Sequence, residues 1–78
     1  MSMAPQELEK SASKYAAAAI RADSQGAAGM AITDYQNASE TLLKLIRLYP
    51  TSSLNKIYKQ SYQKYQEVYA GRFHFDVN

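Results

Sequence analysis

A chain of 78 residues supports one domain with a modest core, because a domain this small buries only about 60% of the surface its unfolded chain exposes. It has no cysteine and a single histidine, which excludes disulfide staples and any thiolate or paired-imidazole metal site. The formal net charge of +2 is too small for nucleic acid to be the main partner, since phosphate binding needs many clustered lysines and arginines.

The first segment, Met1–Gln6, lacks the basic-then-apolar layout of a signal peptide. No run reaches the roughly 18 consecutive apolar residues of a membrane-spanning helix, so the expected setting is cytoplasmic. The first predicted helix covers about residues 5–24. Pro5 suits the first helical position. Leu8, Ala12, Tyr15, Ala19 and Ala22 recur at spacings of three and four, which aligns them on one face. Ala16–Ala19 is an unbroken run of the strongest helix former, and its small side chains let a neighbouring helix approach closely.

Gly26 and Gly29 bracket a short break. The second predicted helix then covers about residues 27–49. Ala28, Ala31, Ile32, Tyr35, Ala38, Leu42, Leu45, Ile46 and Tyr49 share one face, with Glu40, Lys44 and Arg47 opposite. Pro50 stops it, because proline disfavours helical geometry in the residue before it.

The third predicted helix covers about residues 53–70, with Ser52 or Ser53 as its N-cap and Gly71 at its C-terminal cap. Leu54, Ile57, Ser61, Tyr65 and Val68 form its expected inward stripe. Residues 72–78 alternate apolar and polar through Phe73, Phe75 and Val77. They read as a tail, where a linker would begin. Three amphipathic helices with short connections and no strand-like alternation make the fold class all-α: an antiparallel, up-down-up three-helix bundle over residues 1–71.

The stretch Ala19–Leu43 carries a motif: Ala19-x3-Asp23-x2-Gly26-x4-Ala31-Ile32-x2-Tyr35-x2-Ala38-x3-Leu42. It resembles the signature of the MIT (microtubule-interacting and trafficking) domain. In that family the first helix ends in an alanine–aspartate pair and the second opens Ala-Ile-x-x-Tyr-x-x-Ala. The segment Ile57-x3-Ser61-x3-Tyr65-x2-Val68 is similar to the weaker pattern of the family's last helix, and the likeness spans roughly residues 8–70. The motif also has physical sense. Ala19, Ala31 and Ala38 permit close packing, and Tyr35 fills the space between the first two helices. Asp23 is placed to accept hydrogen bonds at the start of the second helix.

MIT domains occur on AAA ATPases such as katanin, spastin and the vacuolar-sorting ATPases. The resemblance implies a domain that binds C-terminal motifs of ESCRT-III-like filament proteins and so recruits an attached ATPase or other trafficking activity. It implies a monomer in isolation that reaches membranes or the division site only through its partner. Family members dock a helical motif between the second and third helices, and a more extended, proline-containing motif between the first and third. Matching the family pattern puts Tyr65 on the former groove, flanked by Tyr58, Tyr62 and Tyr69, with Lys59 alongside. Tyrosines give large contact area at low entropic cost, yet four on one helix edge can equally seal the bundle. Ala16, Ile20, Ile57, Ser61 and Lys64 are the candidates for the other groove, although Ile20 also reads as core. Lys56, Lys59 and Lys64 precede the one acid of the third helix, Glu67. They would steer an acidic motif, or they form an ordinary solvated face.

Catalysis has no foothold. The chain carries no Gly-x4-Gly-Lys-Ser/Thr loop. His74 stands alone in the tail, and no two carboxylates are spaced to face inward together. No cofactor, metal or nucleic acid is expected. Two alternatives to the MIT reading are a tetratricopeptide-like adaptor and a helical oligomerisation module. The former is disfavoured by a long second helix and the lack of a second copy at a period of about 34 residues. The latter would self-associate through the tyrosine edge.

Overall fold

The computed structural model describes residues 4–77, with side chains described for residues 4–70. Pro5 opens α1 (Pro5–Ser24), where its missing amide costs nothing. Glu7 in the first turn and Arg21 in the last complement the helix dipole. α1 buries Leu8, Ala12, Ala16, Ala19 and Ala22. Tyr15, read from the sequence as part of this stripe, is exposed instead. The buried face turns towards Ala16 because α1 must cover α2 while also reaching Tyr58 on the third helix.

The end of α1 is set by Gly26. Its φ of 77° lies in the left-handed region that L residues avoid. The Ala27 amide bonds back to the Ala22 carbonyl at 2.8 Å, and the Gly26 amide to that of Asp23 at 3.1 Å. These two bonds form a Schellman cap, and Ala27 packs against the cluster holding Ala22, as such a cap favours.

α2 (Ala28–Leu48) follows at once and buries Ala31, Tyr35, Ala38, Ser39, Leu42 and Leu45. Ala19 on α1 and Ala31 on α2 belong to one fully packed cluster with Ala22 and Tyr35. The Tyr49 amide closes the last turn on the Leu45 carbonyl at 3.0 Å, and Pro50 prevents continuation.

α3 (Asn55–Val77) departs from expectation at both ends. Neither Ser52 nor Ser53 is its N-cap. The Leu54 carbonyl accepts the first helical bond, from the Tyr58 amide at 3.0 Å. Ser52 Oγ accepts the Leu54 amide at 3.1 Å, a local serine turn that competes with capping. Asn55, buried at the helix start, donates from Nδ2 to the Tyr49 carbonyl at 3.3 Å and so ties the loop to the end of α2. At the far end the helix runs through Gly71 to Val77. The C-terminal cap read at Gly71 and the non-helical tail over 72–77 are therefore corrected. One glycine costs a helix only about 1 kcal/mol, and no proline follows to stop it.

The contacts reveal the topology. Leu8 and Ala12 share a cluster with Leu42, Leu45 and Tyr58, while Ala19 and Ala22 meet Ala31, Tyr35, Tyr65 and Val68. Residue numbers rising on α1 meet falling numbers on α2 and rising numbers on α3, so the bundle is antiparallel, up-down-up. α2 is central: it packs against both other helices. Among the described residues no Cα of α1 comes within 8 Å of one on α3. Alanines let α1 lie close to α2, whereas tyrosines from α3 hold that helix farther away and leave the α1–α3 seam open.

Candidate functional site

The inward face of α3 is rotated about one residue from the stripe read in the sequence. Asn55 and Tyr58 are buried, and Tyr62, Tyr65 and Tyr69 are half-buried against the core clusters. Leu54 and Ile57, expected inside, are exposed, Ile57 by 55%. The cause is volume. Tyrosine rings carry more apolar area to bury against α2 than Leu54 or Ile57, and their hydroxyls can reach polar partners at the bundle edge.

The four candidate tyrosines therefore do not form one surface. Tyr58 is only 6% exposed and points to α1, where its hydroxyl donates to Glu9 Oε1. It was read from the sequence as facing the α2–α3 side, and it lines the α1–α3 depression instead. Tyr65 bridges both clusters and meets Tyr35 with ring centroids 6.0 Å apart, tilted by 35°. The Tyr69 hydroxyl accepts Gln36 Nε2 at 3.2 Å across the α2–α3 seam. Tyr62 packs on the lower cluster, and Lys59 is exposed.

Of the candidates for the other groove, Ile57 and Ser61 line one depression together. This depression, of about 170 Å³, lies between α1 and α3. Glu9, Ala12 and Ser13 line it from α1; Ile57, Tyr58, Ser61 and Tyr65 line it from α3; Leu42 forms part of its floor. Ile20 lies on the same edge of α1 as Glu9, Ser13 and Ala16 by helical spacing and is 60% exposed. Lys64, three residues after Ser61, continues the α3 edge and is exposed. Ala16 is buried, and neither it nor Ile20 nor Lys64 is among the residues lining the depression. Three other depressions are each lined by one helix alone: one on α1 around Lys10, and two on α2 around Met30 and Lys44. The α1–α3 groove is thus a two-walled trough with apolar residues on both rims.

Its polar groups include Glu9, Ser13, Ser61 and the Tyr58 hydroxyl. The hydrogen bond to Glu9, then burial, then the Glu9 charge push the Tyr58 phenol up to about 12. Glu9 was read in the sequence only as a carboxylate without a catalytic companion. Its place in the groove was missed, because the signal would have been its spacing from Ala12 and Ser13 matched to a tyrosine 49 residues later.

The residues of the sequence motif sit elsewhere, in the architecture. Ala19, Ala31 and Ala38 are fully buried and Tyr35 nearly so. Gly26 forms the cap, and the main-chain carbonyl of Asp23 accepts one of its bonds. Among the described residues, no group of three or more His, Asp or Glu side chains could hold a metal ion. No helix among them is long and apolar enough to cross a membrane.

No protein-family model matches the chain. Over 53 residues, 68% of its length, it is 47% identical to a protein named cell division protein C from Sulfolobus acidocaldarius. The matched stretch is 14% of that relative, so the chain spans only a small part of the protein it resembles.

Proposed function

We propose that this chain is the partner-docking domain of a cell-division machine, and that it receives an extended peptide in the groove between α1 and α3. The reading joins three supports. The likeness to a protein named cell division protein C supports a role in that process. The MIT-like motif implies a module that recognises C-terminal motifs of ESCRT-III-like filament proteins. The carrying observation is the open α1–α3 seam, where Ile57 stays exposed on the α3 wall opposite Glu9 and Ser13 of α1. An aliphatic side chain left exposed on the wall of a trough is what an apolar segment would cover, and the MIT resemblance implies that such a segment is extended and contains proline.

The mechanism is recruitment. An extended segment containing proline loses little entropy on docking, because its backbone is already restricted. A contact of this size is weak alone. It becomes effective when many copies of the motif are displayed along a filament and when the docking domain is itself linked to others. The domain would thus concentrate an attached activity, in this reading an AAA ATPase, at the filament.

Binding of C-terminal peptides from ESCRT-III-like proteins, measured by calorimetry with wild type and Ile57→Asp, tests this. The reading requires binding to wild type and a loss of roughly tenfold or more in the variant at unchanged helicity, as expected for removal of an apolar anchor. Equal affinity for both proteins would remove the groove from the account. Self-association with no peptide binding would favour an oligomerisation role.

A further inference from the structure

The α1–α3 groove is not purely apolar, and its one fixed charge indicates what it selects. Glu9 is half-buried on the α1 wall. Its Oε1 accepts the hydroxyl of Tyr58, a buried ring whose own position is set by Leu42 and Leu45. A carboxylate offers about four acceptor sites on two oxygens, so this one bond orients the group without exhausting it. Among the described residues the one side-chain hydrogen bond seen at Glu9 is that from Tyr58, and Lys10 and Lys14 share the neighbouring depression on α1 with it. The groove therefore presents a preoriented carboxylate beside the apolar side chains of Ala12, Leu42 and Ile57.

We infer that Glu9 is the specificity residue of this groove, and that it pairs with a lysine or arginine of the docked segment. The inference rests on the proposed docking reading and adds the chemistry of the occupant. An extended peptide lying in the trough would cover Ile57 and Ser61 and remove water from the Glu9 carboxylate. A buried carboxylate without a cation is costly. A peptide with an acidic residue at that level meets repulsion as well as desolvation, whereas a basic residue recovers both. The occupant is therefore an apolar, proline-containing segment with one basic residue at the level of Tyr58.

The test uses synthetic peptides. A neutral parent of alternating leucine and proline is compared with versions carrying a single lysine, or a single glutamate, at each position in turn. Affinities are measured by calorimetry against wild type, Glu9→Gln and Glu9→Lys. Gln retains an acceptor for Tyr58, and circular dichroism verifies each fold. One lysine position should bind wild type roughly tenfold more tightly than the parent, the size expected of a partly desolvated charge pair. That gain should vanish in Glu9→Gln, and in Glu9→Lys the preference should pass to the glutamate peptide at the same position. A parent that binds while no lysine position gains affinity overturns this inference alone. A parent that fails to bind at all, with every lysine version failing too, overturns the docking reading and this inference with it.

Discussion

The hydroxyl of Tyr58 on α3 donates to the carboxylate of Glu9 on α1, joining two helices whose backbones do not otherwise approach. This bond spans the floor of the open seam. It holds a buried aromatic ring and a charged group in fixed relation on the lining of the groove.

Tyr58→Phe should cost about 1 kcal/mol near neutral pH, the net value of a typical hydrogen bond with an unpaired acceptor left behind. The phenol is neutral when it donates, and its folded pKa lies above the unfolded value of 10.0, at about 12. The contribution is therefore complete below pH 10 and is lost as pH rises towards 12. Thermal melts of both proteins from pH 7 upward should show the wild-type advantage shrinking over that interval. An advantage that stays constant to pH 12 would mean the bond does not form.

Charges placed on α3 should separate rim from core. Tyr65→Asp should unfold the domain, at a cost of several kcal/mol, because it removes a ring from two clusters and buries a carboxylate. Ile57→Asp should leave the melting temperature nearly unchanged, since the side chain is mostly in water. Melting curves followed by circular dichroism read both, and similar stability losses for the two would place Ile57 in the core.

Glycine substitutions should act with opposite signs. Gly26→Ala forces a side chain into a left-handed conformation and should destabilise by about 1 kcal/mol. Gly29→Ala, inside the first turn of α2, should stabilise by about 0.5–1 kcal/mol. Neither added methyl meets a neighbour within 4 Å, so backbone preference alone sets the sign. Urea denaturation midpoints provide the comparison.

Ser39 is 1% exposed, and its hydroxyl is without a hydrogen-bond partner. Ser39→Ala should raise stability by about 1 kcal/mol, combining relief of an unsatisfied group with better helix propensity. A drop in denaturation midpoint would show that the hydroxyl is engaged in solution.

The helices were legible because their signals are local. Pro5, Gly26 and Pro50 punctuate the chain, and the alanine and leucine positions of α1 and α2 follow the helical period almost without exception. The rotation of α3 was not legible. Its aliphatic residues, Leu54 and Ile57, and its tyrosines lie about one position apart on the wheel, and only the width of the α1–α3 seam decides which set turns inward. Of the residues read as lining this groove, Ile57 and Ser61 do line one depression between α1 and α3. The sequence reading also placed Ile57 inside the core, where it does not belong. Tyr58 and Glu9 lie 49 residues apart, beyond any pattern of spacing along one element.

The central claim is that the α1–α3 groove is the docking surface. Titration of the isotope-labelled 78-residue chain with a C-terminal peptide of an ESCRT-III-like filament protein, followed by residue-resolved NMR, addresses it most directly. The account predicts saturable shifts at Ile57, Ser61, Ser13 and Ile20, with little change at Lys59 on the opposite edge of α3. Shifts centred on Lys59 and Tyr62, or a spectrum unmoved by peptide in a chain that dimerises, would contradict it.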